Sequence, residues 1–352
     1  MFYSMILLLC ISLLMVMVTS YRNMVIQRSR LPTLMDSKNS LSPRKSLFFD
    51  IIEAGLEDKF GYLDNNPTMT RISKWLQFAK NNIELPKPKA PYHDYIEEYI
   101  EGLTAQPFWH DENIDNLQLF EWIKPLEDST EIIKAELDKV LEISESFKGD
   151  SKYMNTMGVG WQAIRLQRMG EWNEINSSLF PKTVRIIRGL NIPLAIRGVM
   201  FAKQRPKSGV APHSDGRNFI LTAHLGVKIP KDNKNVWIKV GSKEQKWNNG
   251  KILVFDTSFT HETFNDSEED RYVLIIDFWH PELSNYEREA LEYIYDARNK
   301  FENNAIKEIT SSYISSGKPI AINDYIKSKE GIGKSIVDFF QDGGLIKFNP
   351  FK

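Results

Sequence analysis

His213, Asp215 and His261 are the residues of this chain whose types and spacing best suit a metal site. One residue separates His213 from Asp215, and alternate residues of a β-strand face the same side, so both can point at one ion. His261, on a later predicted strand, supplies a third ligand. Two histidines and one carboxylate are the facial triad of non-haem Fe(II) oxygenases. By itself the His-x-Asp pattern favours a simpler alternative, a loop histidine beside a turn-forming Asp-Gly.

The charge of such a site indicates what it would bind. Two neutral imidazoles and one carboxylate leave Fe(II) with a net charge of about +1, which favours chelation by an anionic 2-oxo acid and leaves a position for O2. Arg271 begins an apolar run that ends at Trp279. A buried arginine there can pair with the far carboxylate of 2-oxoglutarate. The alternative for Arg271 is an edge-strand arginine in a surface ion pair.

Composition narrows the function classes. The chain has 352 residues, with 45 Lys and Arg against 46 Asp and Glu and a net charge of -1, so a general polyanion-binding surface is not expected and no nucleic-acid partner is predicted. The single cysteine, Cys10, excludes an intramolecular disulfide framework and a cysteine-based metal site. Any metal must therefore be held by histidine or carboxylate side chains.

The elements that must position these residues are short strands. Runs rich in β-forming residues begin near residue 158 and are separated by Gly, Pro, Asn and Asp. About eight strands at this spacing predict a sandwich or jelly roll. The runs are Trp161–Gln167, Thr183–Ile187, Ala195–Lys203, Asn218–Ile229, Val236–Val240, Lys251–Phe255, His261–Phe264 and Arg271–Trp279.

Helical patterns flank the strands on both sides. Asp128 to Glu131 and Ser284 to Glu287 both resemble capping boxes that precede apolar residues at helical spacing. The predicted organisation is a transmembrane anchor, a linker, a helical N-terminal region, a mostly β catalytic core of the jelly-roll type and a helical C-terminal extension. Their respective ranges are 1–21, 22–44, 45–157, 158–283 and 284–352.

The first 21 residues carry no charged side chain. As a helix they would be about 30 Å long, the thickness of the hydrocarbon core of a bilayer. Because no basic residue precedes the apolar run, an uncleaved single-pass membrane anchor is favoured over a signal peptide. Arg22, Arg28 and Arg30 follow, and the positive-inside tendency favours the cytoplasmic side for the rest of the chain, with the lumenal side as the alternative.

Several segments around the predicted site share their pattern with a known family: Pro212–Val227, Trp247–Asp256, Phe259–Glu262 and Phe278–Leu283. Together with Arg271 they resemble the aspartyl/asparaginyl β-hydroxylases, whose relatives include bacterial lipid A hydroxylases. The close resemblance covers about residues 195–283. It implies a double-stranded β-helix that uses Fe(II), 2-oxoglutarate and O2, with ascorbate as a candidate supporting reductant.

The resemblance also implies roles for single residues. His213 and His261 match the metal histidines, Arg271 matches the arginine that binds 2-oxoglutarate, and His224 matches a histidine near the cosubstrate. Asp215 matches the carboxylate ligand that the lipid A hydroxylases keep and that the animal hydroxylases replace with glycine.

The chain departs from the family pattern at two further positions. Thr222 stands where the family often has an arginine that meets an anionic substrate, and Ala202 stands where a hydroxyl side chain commonly contacts 2-oxoglutarate. These departures leave the predicted iron site intact and change the predicted substrate site. An acidic peptide substrate of the animal type therefore does not follow from the resemblance.

The predicted function is an Fe(II)- and 2-oxoglutarate-dependent dioxygenase that hydroxylates a C–H bond of a protein Asp or Asn side chain. The alternatives are hydroxylation of a lipid acyl chain and a catalytically inactive jelly-roll binding module. Lys203, Arg205 and Lys207 form a basic loop before the site, which is either solvated or steers an anionic substrate. His93, His110 and His280 are predicted to be structural or surface residues.

Overall fold

The computed structural model describes residues 43–61, 66–81, 83–95, 97–143, 160–232 and 234–299. The predicted anchor over residues 1–21, nearly all of the linker and the last 53 residues, 300–352, lie outside these ranges. Within the described ranges, no helix combines the length and the apolar character that crossing a bilayer requires. The membrane anchor therefore stays a prediction.

Strands dominate the described chain, and neighbouring strands pair in antiparallel fashion. The prediction of a mostly β core is confirmed. The strands are β1 (Phe108–His110), β2 (Trp161–Arg168), β3 (Glu171–Trp172), β4 (Leu194–Gln204), β5 (Ser208–His213), β6 (Ile220–Lys228), β7 (Val236–Val240), β8 (Lys243–Lys246), β9 (Ile252–Asp256), β10 (His261–Asn265) and β11 (Arg271–Trp279).

These strands form two sheets. The larger has seven strands in the order β1-β9-β6-β11-β4-β2-β3, and the smaller has four in the order β5-β10-β7-β8. Buried residues of both sheets belong to one apolar cluster, with Ala202 and Val273 from the larger sheet and Val236 and Ile238 from the smaller. Because this cluster lies between the sheets, it holds the strands that carry the predicted site in fixed register.

The helices are α1 (Pro43–Phe60), α2 (Thr70–Lys80), α3 (Ile123–Asp128), α4 (Thr130–Ile143), α5 (Glu174–Leu179), α6 (Pro181–Gly189) and α7 (residues 285–299), with a 3-10 turn at Pro67–Met69. The predicted capping box before α7 is present. The Ser284 N–H donates to Glu287 Oε2 at 2.8 Å, and the Glu287 N–H donates to Ser284 Oγ at 3.2 Å.

The strand predicted at Thr183–Ile187 is wrong, because these residues lie in α6. Pro181 occupies the first turn, where a missing N–H is tolerated. The side chain of Glu136 then accepts the N–H groups of Lys182 at 2.8 Å and Thr183 at 2.7 Å. A carboxylate from a distant helix thus caps the free N–H groups of α6, and five residues of local sequence do not contain that information.

Strand β5 was missed by the sequence analysis, because Gly209 and Pro212 read as loop residues. The strand lies at the edge of the smaller sheet. A proline without an N–H is tolerated at such an edge, where one side of the strand has no neighbour to bond. This strand ends at the first predicted metal ligand, His213.

Candidate metal centre

His213 and His261 meet because their strands are paired in that register. His213 is the last residue of β5, His261 is the first residue of β10, and the two are direct cross-strand partners. Their ring centroids are 4.2 Å apart. Asp215 follows two residues after His213, and the candidate ligand atoms of all three side chains lie within 4.8 Å of one another. That spacing allows one ion to contact all three.

Both histidines are oriented by backbone carbonyls. His213 Nδ1 lies 2.8 Å from the Ala211 oxygen, and His261 Nδ1 lies 2.9 Å from the Phe259 oxygen. A proton on each Nδ1 satisfies these contacts and leaves Nε2 with a free lone pair, as in many metal-binding histidines. Burial, followed by the neighbouring His213, lowers the pKa of His261 to about 4, so its imidazole is neutral at neutral pH, as a metal ligand must be.

A turn, and not strand alternation, directs the carboxylate of Asp215. The residue lies beyond the end of β5, and its N–H donates to the Thr257 oxygen at 2.9 Å. Gly216 follows with a φ of 74°, and its N–H donates to Ser214 Oγ at 3.0 Å. A side chain at Gly216 would also approach Glu97 to 2.8 Å. Glycine therefore lets the chain reverse directly after the carboxylate.

Arg197 on β4 contacts this carboxylate, and the sequence analysis missed it. Its Nη1 donates to Asp215 Oδ2. Its Nη2 lies 3.0 Å from each of Asp277 Oδ1, Thr222 Oγ1 and Thr257 Oγ1. The only sequence signal was a charged residue among the apolar residues that begin this strand, and such a residue has many explanations.

The ion pair keeps Asp215 ionised. Burial alone would raise the pKa of this carboxyl group, but Arg197 and the two histidines outweigh burial and hold the pKa well below its usual range. The guanidinium also lies beside Thr222, one of the positions at which the sequence departs from the pattern of the family that it resembles. Because its Nη groups already bond to Asp215 and Asp277, this arginine differs from one that is free to meet a substrate.

Arg271 is a second buried guanidinium in the same cavity, and its side chain lacks comparable partners. It is 2% exposed and lies on the central strand β11, so the alternative of an edge-strand surface ion pair does not hold. Its Cζ lies 4.2 Å from the ring centroid of Trp247. Among the described residues, its Nε and Nη1 have no hydrogen-bond partner.

The surroundings of Arg271 suit an anion. Burial lowers its pKa to about 9, so the group is still cationic at neutral pH. It lines one cavity of about 130 Å³ together with His213, Asp215 and His261. A buried guanidinium without partners is costly, and an anionic ligand that enters the cavity would remove that cost.

His224 lies on β6 next to this arginine. Its ring is nearly parallel to Trp247, with centroids 6.0 Å apart, and nearly perpendicular to Phe255 at 4.8 Å. Burial, followed by Arg271, lowers its pKa well below the usual value, so the imidazole is neutral. Its Nδ1 is buried and has no partner among the described residues. The neutral ring can therefore form a hydrogen bond to a ligand beside Arg271.

The basic loop residues do not line this cavity. Lys203 pairs with Asp270 at 2.7 Å, Lys207 pairs with Asp266 at 3.1 Å, and Arg205 is exposed. These ion pairs connect the end of β4 and the loop after it to the segment between β10 and β11. The solvated alternative accounts for these contacts, and steering of an anionic substrate stays a prediction.

Other arginines line the cavity instead. Arg165 and Arg168 on β2 border the metal cavity and also border an adjoining cavity of about 610 Å³. Arg298 on α7 lines the adjoining cavity. Cations thus extend from the metal cavity into the next one. Sequence reasoning missed this feature, because it comes from two elements that are far apart in the chain.

The chain is similar to proteins of known family. Residues 127–281 match the family model described as aspartyl/asparaginyl beta-hydroxylase. The chain is 30% identical over 201 residues to the mouse aspartyl/asparaginyl beta-hydroxylase, covering 55% of this chain and 26% of that protein. It is 31% identical over 167 residues to the ornithine lipid ester-linked acyl 2-hydroxylase of Rhizobium tropici, covering 46% of this chain and 58% of that protein.

The chain thus spans about a quarter of the length of the mouse relative. Among solved structures, a Trichoplax adhaerens prolyl hydroxylase in complex with a hypoxia inducible factor peptide fragment is 14% identical with a TM-score of 0.32, covering 51% of this chain and 98% of that one. The sequence matches confirm the resemblance to the family, and the residues of the candidate site lie within the matched segment.

Proposed function

We propose that this chain, whose residues 127–281 match the aspartyl/asparaginyl beta-hydroxylase family, is an Fe(II)- and 2-oxoglutarate-dependent dioxygenase that hydroxylates a C–H bond. The observation that carries the proposal is the pairing of two features in one cavity. A cluster of two histidines and one aspartate lies there with a buried guanidinium whose Nε and Nη1 have no partner among the described residues.

Each residue has a role in this proposal. His213, Asp215 and His261 would hold Fe(II), which together with 2-oxoglutarate supplies the activation of O2. Arg271 binds the far carboxylate of 2-oxoglutarate by a bidentate pair, and the neutral His224 donates or accepts a hydrogen bond beside it. Apolar residues such as Ile238 and Ile275 line the cavity and exclude water.

The finer fold assignment is a double-stranded β-helix, the jelly roll predicted above. Its support is the order of the last eight strands. Strands β4, β6, β9 and β11 belong to the larger sheet, whereas β5, β7, β8 and β10 form the smaller one. The chain therefore crosses repeatedly between two facing sheets, as it does in jelly rolls.

The proposed substrate is a protein Asp or Asn side chain, with a lipid acyl chain as the alternative. The aspartyl/asparaginyl beta-hydroxylase relative supports the protein substrate, and the ornithine lipid acyl hydroxylase supports the lipid substrate. The arginines that border both cavities, Arg165 and Arg168, favour a substrate with an anionic group near the reacting carbon. A protein Asp side chain and a lipid headgroup both offer such a group.

We also propose that the chain is anchored in a membrane by residues 1–21, with the catalytic part on the cytoplasmic side. The support is the charge-free apolar run followed by Arg22, Arg28 and Arg30. Carbonate extraction and N-terminal sequencing test the anchor. Full-length protein that carbonate releases, or a mature N-terminus after residue 18, would contradict it.

The test of activity is succinate formation from 2-oxoglutarate with added Fe(II) in the purified protein, with His213→Ala as the matched variant. We expect turnover in the wild type and none above background in the variant. No succinate above background in either protein favours the inactive binding module, and equal formation in both would contradict a metal-ligand role for His213. Mass spectrometry that compares proteins and lipids of wild-type and His213→Ala cells then identifies the hydroxylated substrate class.

A further inference from the structure

One of the two carboxylate oxygens of Asp215 is bonded to a guanidinium of the protein itself. Its Oδ2 accepts from Arg197 Nη1. Both side chains are 23% exposed, toward the cavity that they line together. The contact joins residues 18 apart in sequence, and neither the family match nor the sequence motif assigns Arg197 a role.

The guanidinium of Arg197 is itself held from three sides. Thr222 lies on β6, Asp277 lies on β11, and Thr257 lies in the loop after β9. All three accept from Nη2 at 3.0 Å, and the Thr222 hydroxyl also donates to Asp277 Oδ1 at 2.5 Å. Asp277 is 4% exposed, so this partner cannot move into solvent. Such a network fixes the direction from which Arg197 reaches Asp215.

The number of oxygens that Asp215 offers matters for the proposed reaction. An octahedral ion has six positions, and a carboxylate can occupy one or two of them. Two histidines and one oxygen leave three positions, enough for a chelating 2-oxo acid and for O2. Two histidines and two oxygens leave only two. A site of this kind therefore works best when its carboxylate is restricted to one oxygen.

We propose that Arg197 is a positioning residue that restricts Asp215 to a single metal-binding oxygen and so keeps room for the cosubstrate and O2. The inference rests on the proposed function, because it concerns the same metal site. It predicts a specific pattern. Removal of Arg197 leaves metal binding in place and weakens 2-oxoglutarate binding, although Arg197 is not the residue that pairs with the cosubstrate's far carboxylate.

The main test variant is Arg197→Met combined with Asp277→Asn. The second substitution removes the buried carboxylate that would otherwise lose its partner, which protects the fold. Co(II) binding is followed by visible absorption, and 2-oxoglutarate binding to the Co(II)-loaded protein is followed by calorimetry. Thermal melting confirms that each variant is folded. Arg197→Lys serves as a milder variant, since an ammonium is a point charge that lacks the planar fork of a guanidinium and cannot reproduce its set of contacts.

We expect the double variant to bind Co(II) within about threefold of the wild type and 2-oxoglutarate about tenfold more weakly, a change of about 1.4 kcal/mol. The 2-oxoglutarate affinity of Arg197→Lys should fall between those of the wild type and the double variant. If Arg197 acts through Asp215, the same substitutions in an Asp215→Ala background should cost no further 2-oxoglutarate affinity, which a double-mutant cycle measures.

Three results overturn the inference. They are an unchanged 2-oxoglutarate affinity in the folded variants, a loss of Co(II) binding in both, and an equal loss of 2-oxoglutarate affinity in the Asp215→Ala background. A wild-type protein that binds neither Co(II) nor 2-oxoglutarate instead contradicts the proposed function, so the two failures are distinguishable.

Discussion

Two arginines border the same cavity, and their Nη groups differ in hydrogen bonding, although Nε of each is buried and has no partner among the described residues. The Nη groups of Arg197 bond to two carboxylates and two hydroxyl groups. Arg271 lies over Trp247, and two of its three nitrogens have no partner among the described residues. The Nη groups of Arg197 are therefore occupied by residues of the protein, whereas Nε and Nη1 of Arg271 can still bind a ligand.

The electrostatic environments of the two groups agree with this division. Burial lowers the pKa of Arg197, but Asp215 and Asp277 more than offset burial, and the pKa is raised overall. For Arg271, burial is the one resolved influence, and it lowers the pKa to about 9. A buried cation beside carboxylates is stabilised by them, whereas a buried cation that has only an aromatic ring beside it gains further stabilisation when an anion binds.

The strongest test of the comparison is Arg271→Ala. We expect the KM for 2-oxoglutarate to rise roughly thirtyfold or more, because losing one buried charge-assisted pair costs on the order of 2–5 kcal/mol. Fe(II) affinity should remain nearly intact, and Arg271→Lys should recover part of the loss. The measurement is a 2-oxoglutarate titration followed by succinate formation.

The matched control for that test is Arg205→Ala, because Arg205 is an exposed arginine outside the cavity. Its 2-oxoglutarate KM should equal that of the wild type. A KM within about twofold of the wild type in Arg271→Ala would show that this arginine is not the anchor. Lys203, Arg205 and Arg217 would then be the next candidates. Of these, Lys203 pairs with Asp270, Arg217 pairs with Glu97 and Glu98, and Arg205 is exposed.

Asp215→Ala tests the other arginine of the comparison, Arg197, because it removes one of the two carboxylates to which that arginine bonds. We expect Fe(II) affinity to fall by at least the roughly tenfold that the loss of an outer partner of a metal ligand costs. Residual turnover is expected, because relatives function with glycine at this position. The control is Asp277→Asn, which removes the other carboxylate of Arg197 and no candidate ligand. The measurement is an Fe(II) titration of both variants. Equal losses of Fe(II) affinity in the two would argue against a ligand role for Asp215.

Arg168→Ala should have a smaller effect, confined to the KM for the substrate that is hydroxylated. A partly solvated ion pair is worth about 1 kcal/mol or less, so the substrate KM should rise by no more than about fivefold, and less at high salt. The 2-oxoglutarate KM should not change, because the proposed function assigns that ligand to Arg271. A change in the 2-oxoglutarate KM alone would instead link Arg168 to the cosubstrate.

Histidines of this protein also differ in whether their ring nitrogens have hydrogen-bond partners, and His280 is one whose two nitrogens both have them. Its Nε2 lies 3.0 Å from the Thr104 oxygen, and its Nδ1 accepts the Glu282 N–H at 3.2 Å, whereas Nδ1 of His224 has no partner in the described chain. Burial lowers the pKa of His280 to about 4 from a usual value of 6.5. The folded protein therefore resists a proton that the unfolded chain accepts.

The sign of the pH effect follows from that difference. Between pH 6.5 and about 4 the unfolded state binds more protons at this residue, so its contribution to stability is complete above 6.5 and is lost as the pH falls. His280→Gln removes this dependence. We expect the difference in unfolding midpoint between wild type and variant to narrow as the pH is lowered across this range. A constant difference would contradict the assignment.

Local pattern was sufficient for much of this molecule. The runs at Val236–Val240 and Arg271–Trp279 were predicted with the bounds that the structure has, because an apolar run between turn residues is a local property. The strand predicted at Thr183–Ile187 is wrong, because these residues lie in helix α6. The N–H groups at the start of that helix are capped by Glu136, which is 46 and 47 residues away in the sequence.

By itself, the sequence determined which residues could be ligands and where most strands begin and end. A single cysteine and few histidines restrict the chemistry, and side-chain periodicity is encoded within a few residues. Only the tertiary structure decided which buried charges are paired. Arg197 meets Asp215 and Asp277 across 18 and 80 positions of sequence, whereas in the described part of the chain Arg271 lies against Trp247 and pairs with no carboxylate. The free energy of a buried charge depends on what surrounds it in space, and strand pairing across the two sheets determines those surroundings.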